Sequence, residues 1–377
     1  MKIVCDNKIP FLKGVLEPYA EVIYMPGKET TPELVRDADA IITRTRTKCD
    51  AALLEGSSVK VIATATIGFD HIDTAWCEAH GIVWKNAPGC NSWSVKQYMG
   101  SVLTTLARRH GLDLSAMTLG VVGVGNVGSK VAEIASLLGM KVLLNDPPRA
   151  RREGPDGFVS LDEIVDKSDI ITLHVPLTRE GGDATWHLFN EARISRLNDG
   201  QILMNSSRGP VVDNAALKAA LKRHALKGAV LDVWEHEPDI DRELMGLLDI
   251  ATPHIAGYSA DGKANGTTAS VRTVAEYLGL PLKDWAPSEM PEPAQPLEFT
   301  LDASGKSLQE VLSEAVLHTY DVLDDDRALR GHPELFEKLR GDYPVRREFT
   351  AFSVNLEGGT PEEAEILNKI GFNLMNK

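Results

Sequence analysis

The stretch Leu119-Gly120-Val121-Val122-Gly123-Val124-Gly125-Asn126-Val127-Gly128 feeds a short β-branched strand into a Gly-x-Gly-x-x-Gly turn. Eighteen residues beyond Gly128, Asp146 closes a second strand over 141–145. Each glycine has a separate job in such a turn. Gly123 permits the tight bend, Gly125 lets backbone approach a pyrophosphate, and Gly128 lets the following helix lie close to the sheet. The helix opened by Asn126 and Val127 then turns unpaired N–H groups towards the phosphates. Strand, turn, helix, second strand and acid together predict a dinucleotide site; a lone glycine turn would not.

The acid also selects the dinucleotide. Asp146 is placed to accept hydrogen bonds from the adenosine ribose hydroxyls, and its charge repels the extra phosphate of NADP, so NAD is expected. Arg149 could receive such a phosphate, but Pro147 and Pro148 make it more plausibly a wall beside the adenine.

Length and composition bound the rest. A chain of 377 residues is long enough for two or three domains with their own cores. Charged residues at 25% and hydrophobic ones at 43% describe an ordinary globular protein. A net charge of −14 argues against nucleic acid as a partner, while leaving room for a local cationic pocket for a small anion. Cys5, Cys49, Cys77 and Cys90 are scattered and form no Cys-x-x-Cys pair, so they read as reduced thiols with packing roles. The chain begins as a strand with neither a long apolar segment nor a cleavage site. The expectation is no membrane insertion and, by default, a cytoplasmic location.

Short apolar segments at 2–6, 21–24, 38–43, 59–64 and 81–84 alternate with helical patterns, which predicts a parallel sheet covered on both faces. From Ser92 towards His110, Val95, Tyr98, Met99, Val102, Leu103 and Leu106 recur at helical spacing and form a connecting helix. A second strand series begins at Leu119 and continues at 141–145, 169–173, 201–204, 229–233 and 249–251, giving a doubly wound domain. A helix from about Lys263 to Leu278 returns to the first domain. Pro281, Pro287, Pro291, Pro293 and Pro296 mark a stiff linker. The domains expected are therefore 1–94 with 258–285 for substrate, 95–257 for NAD, a linker at 286–296, and a small α+β domain over 297–377. About 80 residues bury little by themselves, so this last domain is expected to dock on its own subunit or to build a dimer.

Three polar residues lie just past strand ends of the doubly wound domain, where ligands of such sheets bind. Arg208 follows Asn205-Ser206-Ser207, Glu237 follows Asp232-Val233-Trp234-Glu235-His236, and His254 sits in Thr252-Pro253-His254-Ile255-Ala256-Gly257. Each alone has a plain reading, as a structural arginine, a surface acid or a buried histidine. Together they suit hydride transfer from a hydroxy acid. An arginine holds the carboxylate and the reacting oxygen, a histidine takes the hydroxyl proton, and a carboxylate fixes the imidazole.

In the same order, Gly123–Gly128 with Asp146, His174-Val175-Pro176-Leu177-Thr178, Asn205 to Gly209, Leu231 to Pro238 and Thr252 to Gly257 resemble the D-isomer-specific 2-hydroxyacid dehydrogenases. The resemblance covers approximately residues 1–285. It implies a flavodoxin-like substrate domain beside the NAD domain, with Arg208, Glu237 and His254 as the catalytic set. It also places Val175, Ser206, Ser207, Arg208, Asp232 and Gly257 around the cofactor, Asp232 meeting the nicotinamide carboxamide. Stretches such as Asp146-Pro147-Pro148-Arg149-Ala150 and Tyr343-Pro344-Val345-Arg346-Arg347-Glu348-Phe349 point to a branch of the family with a C-terminal dimerisation domain. Its substrate is a phosphorylated small 2-hydroxy acid, and it implies a homodimer, with Thr45, Thr66 and Tyr258 as substrate contacts. Three positions depart from the family pattern, of which Thr45 keeps the hydroxyl of the usual Ser while adding a methyl. Val175 lacks the hydroxyl of a Thr, and Gln97 stands where an acid is usual.

From the residues alone, Thr43-Arg44-Thr45-Arg46-Thr47-Lys48 is a candidate phosphate loop, because arginine forks and hydroxyls suit phosphate oxygens. A solvent-facing basic edge is the plainer alternative. Arg346 and Arg347 are candidates for reaching a neighbouring subunit's cleft. A related dehydrogenase acting on 3-phosphoglycerate or on a non-phosphorylated hydroxy acid is the competing enzyme. An NAD-sensing scaffold without turnover is the competing non-enzyme, disfavoured because it need not keep Arg208, Glu237 and His254 together.

Overall fold

The computed structural model describes residues 1–375; Asn376 and Lys377, the end of the C-terminal domain read from sequence, lie outside the described residues. The chain divides into two compact units, Met1–Asn91 with Ser259–Pro291, and Ser92–Tyr258 with Glu292 onwards.

The first unit is built on five parallel strands, β1 (Lys2–Asp6), β2 (Glu21–Met25), β3 (Ala40–Thr43), β4 (Val61–Thr64) and β5 (Val83–Lys85). Their order is β2-β1-β3-β4-β5. This is the flavodoxin-like order, expected of a right-handed doubly wound sheet. β3 and β4 are buried along their whole length, as central strands covered on both faces must be. The helix Ala260–Leu278 belongs to this unit. It lies so close to the end of β4 that a Cβ on Gly266 would sit 2.5 Å from the Ala65 carbonyl oxygen.

The second unit carries six strands, β6 (Thr118–Val122), β7 (Lys141–Asn145), β8 (Ile170–Leu173), β9 (Ile202–Asn205), β10 (Gly228–Leu231) and β11 (Ile250–Ala251). All pair in parallel, in the order β11-β10-β9-β8-β6-β7. The chain reverses direction across the sheet between β6 and β8. The carboxyl ends of those two strands therefore flank a crevice, the usual ligand site of such sheets.

A third sheet holds β12 (Glu298–Asp302), β13 (Ser353–Glu357) and β14 (Asn373–Leu374), again parallel. Its helices are Leu308–Thr319, Val322–Gly331, Phe336–Gly341 and Pro361–Ile370. Capping boxes, Ser307 with Glu310 and Thr360 with Glu363, start two of them. The sequence pattern predicts a single helix over 307–322. The chain instead breaks at Tyr320, whose backbone is extended, and Asp321 caps the next helix through the Leu323 N–H. The conformational preference of one cap outweighs a continuous apolar pattern.

This C-terminal domain escapes the weakness of its size by sharing a core. Val311, Val316, Phe349, Phe352, Leu367 and Ile370 join one apolar cluster with Val102, Leu106, Val131 and Ile134 of the NAD domain. The contact explains the helix Ser92–His110. Its apolar stripe faces the NAD domain, yet Ser94, Lys96, Gln97, Ser101 and Thr104 are also fully buried. Each of four of them meets a C-terminal partner. Ser94 donates to Glu348 (2.8 Å), Ser101 accepts from the Val322 N–H (2.9 Å), and Gln97 donates to Thr319 Oγ1 (3.0 Å) and the Arg347 carbonyl (2.8 Å). Lys96 Nζ donates to the Ile370 carbonyl (3.0 Å) at the end of the last helix and to Glu133 (2.9 Å). A cation is favourable at a helix C-terminus.

The same domain closes the exposed edge of the six-stranded sheet. Asp326 accepts the Ala251 N–H at 2.7 Å, and Arg330 donates to Asp326 and to the carbonyls of Met245 and Leu248. An edge strand with an unpaired backbone is thereby covered.

Candidate active site

The glycine turn has the geometry a pyrophosphate needs. Gly123 adopts φ +86°, and a Cβ there would meet the His174 carbonyl oxygen at 2.6 Å. A Cβ on Gly128 would lie 1.9 Å from the Gly123 carbonyl oxygen, which only glycine tolerates. Gly125 has nothing within 4 Å of such a carbon and caps the helix Asn126–Leu137. Space is thus kept where the first N–H groups of that helix, from Asn126, Val127 and Gly128, point outward without intrahelical acceptors.

Asp146 sits at the end of β7 beside this turn. Its carboxylate accepts the Val124 N–H (2.8 Å) and the Arg149 N–H (2.9 Å), one on each oxygen. A carboxylate has about four lone-pair sites, so acceptor capacity is left for ribose hydroxyls. Arg149 is committed elsewhere, to Glu153 and the Val124 carbonyl, with its guanidinium 5.4 Å from the Phe158 ring. It therefore forms a wall and offers no ready fork to a 2′-phosphate. Val175 follows β8 across the crevice and overhangs Gly123, its Cγ1 2.7 Å from where a Cβ would be. The missing hydroxyl leaves an apolar lid at that point. Ser206 Oγ is buried without a hydrogen-bond partner among the described residues, an orphan that a bound cofactor would satisfy. These features fit a dinucleotide.

Arg208, Glu237 and His254 lie in the loops leaving β9, β10 and β11, three neighbouring parallel strands. Asn205 organises the first loop. Its Oδ1 accepts from the Ser207 N–H (3.0 Å) and Oγ (2.8 Å), and its Nδ2 donates to the Arg208 carbonyl (2.9 Å). Gly209 lets this loop pack against the next one, because a Cβ would meet the Trp234 carbonyl oxygen at 1.9 Å.

Glu237 accepts the Trp234 N–H on Oε1 (2.9 Å) and contacts His254 Nδ1 through Oε2 (2.8 Å). Burial works to raise its pKa. The bond and charge of His254, the Trp234 N–H and the nearby Arg340 charge outweigh that, and the carboxyl is held below its ordinary value. Glu237 is therefore ionised at neutral pH and fixes the Nδ1–H tautomer, leaving Nε2 as a base.

His254 adopts φ +58°, a left-handed conformation unusual for a histidine. Asp232 holds the loop in that shape. Its backbone carbonyl accepts the His254 N–H at 2.7 Å, and its carboxylate accepts the N–H groups of Ile255 (2.8 Å) and Ala256 (3.0 Å) and the Thr252 hydroxyl (2.7 Å). Asp232, 1% exposed, thus anchors the loop, and its Oδ2, which takes only the Ala256 N–H, keeps a further acceptor site. Gly257 closes the turn, where the Tyr258 N–H donates to the Ile255 carbonyl (2.8 Å).

Two residues of the C-terminal domain reach this loop. Arg346, 4% exposed, donates to the carbonyls of Ile255 (3.3 Å) and Ala256 (2.7 Å) and lies over the rings of Tyr320 and Tyr343. Arg340 lies beside Tyr258, with Nη2 3.3 Å from its hydroxyl.

Residues 85–256 match the family described as D-isomer specific 2-hydroxyacid dehydrogenase, NAD binding domain, and residues 293–371 match a domain of unknown function (DUF3410). An erythronate-4-phosphate dehydrogenase of Bacteroides fragilis is 53% identical over 94% of this chain and 99% of its own length. That of Proteus mirabilis is 43% identical over 100% of both. The chain belongs to the erythronate-4-phosphate dehydrogenase family. It is an NAD-dependent oxidoreductase with a doubly wound NAD domain. Among solved structures, D-lactate dehydrogenase from Aquifex aeolicus complexed with NAD and lactic acid gives a TM-score of 0.63 at 30% identity, over 74% of this chain and 96% of that one. Cofactor-bound 3-phosphoglycerate dehydrogenase of Entamoeba histolytica gives 0.62 at 28%, over 74% and 95%.

Thr45 and Thr66 follow the carboxyl ends of β3 and β4, whose last residues, Thr43 and Thr64, pair in register. Thr66 Oγ1 contacts Thr64 Oγ1 (2.8 Å) and donates to the Gly68 carbonyl (2.9 Å). Thr45 and Arg46 are exposed, and Arg44 donates to the Lys8 carbonyl (3.1 Å). The expectation that Arg346 could reach a partner's cleft does not hold, because its guanidinium is buried against the active-site loop of its own chain. Gln97 faces the C-terminal domain as a strut, where two acceptors require a donor that a carboxylate lacks. Cys5, Cys49 and Cys77 are buried, and burial drives their thiols upward, Cys77 to about 11. Nothing local in the sequence places Arg340 beside Tyr258 or Arg346 on the Ile255 and Ala256 carbonyls. Arg346 stands in the stretch Tyr343–Phe349 that marks the family branch, but only tertiary neighbours give either arginine its place at the loop. Among the described residues, no helix is long and apolar enough to cross a membrane.

Proposed function

We propose that this chain oxidises 4-phospho-D-erythronate at C2 to (R)-3-hydroxy-2-oxo-4-phosphobutanoate in pyridoxal 5′-phosphate biosynthesis. The observation carrying the chemistry is the 2.8 Å contact between Glu237 Oε2 and His254 Nδ1, on loops from adjacent strands next to the loop of Arg208. His254 Nε2 takes the C2 hydroxyl proton while Glu237 stabilises the imidazolium that forms. Arg208 anchors the carboxylate and the C2 oxygen, opposing the developing alkoxide charge. Bound NAD supplies the acceptor for the C2 hydride. Gly123, Gly125, Asn126, Val127 and Gly128 hold its pyrophosphate, Asp146 its ribose, and Val175, Ser206, Ser207, Asp232 and Gly257 line the remainder.

Thr45, Thr66 and Tyr258 are the substrate contacts, and Arg44 and Arg46 add positive charge at the Thr45 loop. The enzyme works in the cytoplasm as a homodimer through residues 297–377, and light scattering on the full chain tests the assembly. NADH formation, followed by absorbance with 4-phospho-D-erythronate, 3-phosphoglycerate, D-glycerate and D-lactate in parallel, tests the activity. Preference for 3-phosphoglycerate would overturn the substrate assignment, and an active His254→Ala would overturn the proton route.

A further inference from the structure

We propose that Arg340, carried by the C-terminal domain, is a substrate-recognition residue of the dehydrogenase site, taking a phosphate oxygen of the substrate together with the Tyr258 hydroxyl. The inference rests on the phosphorylated hydroxy acid reading above.

The local structure fixes where Arg340 stands. Phe336, 1% exposed, anchors the short helix Phe336–Gly341 in the apolar cluster that contains Trp234, the residue whose N–H holds Glu237. One turn later the Arg340 guanidinium lies 6.0 Å from the Phe336 ring and 5.7 Å from the Tyr258 ring. Tyr258 is four residues beyond His254, and the Arg340 charge is close enough to help keep Glu237 ionised. The guanidinium is therefore beside the catalytic pair.

Its hydrogen bonding is unlike that of a structural arginine. Arg330, from the same domain, donates at 2.8–2.9 Å to Asp326 and two carbonyls. Among the described residues Arg340 has only long hydrogen bonds, Nη2 to Tyr258 Oη at 3.3 Å and Nη1 to Glu337 at 3.4 Å, and Glu337 is itself 46% exposed. Nε is buried with no partner among the described residues, although the side chain is 18% exposed. A desolvated cation with a spare donor and two stretched bonds is poised for an anion that can accept from a planar fork.

The substrate has two anionic groups. Arg208 and His254 are assigned to the carboxylate and the C2 oxygen, which leaves the phosphate. Arg340 also falls within residues 293–371, outside the dehydrogenase match at 85–256. The extra cation thus arrives with the domain that a general hydroxy acid dehydrogenase match does not include.

Full-length Arg340→Met, Arg340→Lys and Tyr258→Phe are compared with wild type by NADH absorbance on 4-phospho-D-erythronate and on D-erythronate. Melting curves and NADH titrations run alongside. Loss of one charge-assisted contact predicts a fall of about 10- to 100-fold in kcat/KM for the phosphorylated substrate in Arg340→Met, mostly in KM. NADH affinity should change less than about twofold, and D-erythronate kcat/KM, which shares only the loss of the charge beside Glu237, should fall by about tenfold less than that of the phosphorylated substrate, with Arg340→Lys in between. An unchanged ratio between the two substrates, by equal loss or by none, overturns the proposal. If Arg340→Met melts early, Tyr258→Phe reads the same subsite with the ring retained, and an unchanged ratio there overturns it equally. Wild type that ignores 4-phospho-D-erythronate instead overturns the substrate reading itself, a failure visible before any variant is made.

Discussion

Glu237→Gln is the sharpest perturbation of the proposed chemistry, because the two oxygens of Glu237 have different duties. Oε1 accepts the Trp234 N–H and Oε2 accepts from His254 Nδ1. A glutamine can present only one acceptor. If its oxygen keeps the Trp234 N–H, the amide nitrogen faces Nδ1 and donates to it, so the proton moves to Nε2 and the base is lost. If the amide flips, an N–H is driven against the Trp234 N–H, leaving a buried donor unsatisfied at about 1–3 kcal/mol. Either way the imidazolium also loses a charge-assisted partner worth about 1.5–3 kcal/mol, or about 10- to 150-fold in rate. Correct positioning of a general base contributes about 10²–10⁴-fold, so a fall in kcat of at least about 100-fold is expected. KM and NADH affinity should move little, since Arg208 and the glycine turn are untouched. Steady-state kinetics with parallel NADH titration measure both. A variant retaining more than about a third of wild-type kcat would refute the tautomer argument.

Glu237 further predicts a pH signature. Its folded pKa is depressed, so the stabilisation is present above the ordinary carboxylate value of 4.5 and is lost as pH falls below it, and acid melting curves of wild type and Glu237→Gln should converge there. Gly128→Ala must move backbone, because its Cβ would lie 1.9 Å from the Gly123 carbonyl oxygen; a loss of NADH binding by fluorescence titration is expected, with the flavodoxin-like unit still folded by circular dichroism. Gln97→Glu replaces a buried donor to Thr319 and the Arg347 carbonyl by an acceptor, which should destabilise by about 2–4 kcal/mol. That loss should grow from pH 5 to pH 8 as the new carboxyl is forced to ionise, read from denaturant midpoints. Lys96→Met removes a donor from the Ile370 carbonyl and strands Glu133 beside Lys130 alone, for an expected loss of about 1–3 kcal/mol by chemical denaturation.

Local pattern made much of this molecule legible. Five strands of the flavodoxin-like unit and six of the NAD domain fall within two residues of their expected starts, because central parallel strands are short apolar runs bounded by turns. Gly123, Gly128, Glu237 and His254 stand where the strand-end rule puts them. Illegible features depend on residues more than 80 positions apart. Nothing near Lys96 or Gln97 in the sequence says that their face of a helix is buried, since their partners are Ile370 and Arg347. Polar residues such as Lys96 and Gln97, off the apolar stripe of Val95, Tyr98 and Val102, read locally as an ordinary solvent face. Arg340 and Arg346 belong to no catalytic motif, and a dimerisation role offered a sufficient reason for their domain.

The geometry around His254 connects these points. A histidine at φ +58° is in a sparsely populated conformation, and such a residue persists only where its surroundings over-determine it. Asp232 supplies half of that constraint by gathering the N–H groups of Ile255 and Ala256, while Arg346 gathers the carbonyls of the same two residues. Opposite charges thus grip the three successive peptide groups that follow the catalytic base, meeting at the one between Ile255 and Ala256. Asp232 comes from the NAD domain and Arg346 from the C-terminal domain. Asp325 completes the grip from behind, accepting from the hydroxyls of Tyr320 (2.6 Å) and Tyr343 (2.7 Å), whose rings lie under Arg346. The C-terminal domain therefore has a catalytic consequence within a single chain, independent of any dimer it forms. It shapes the loop that carries the base, and through Arg340 it brings a cation to the neighbouring tyrosine.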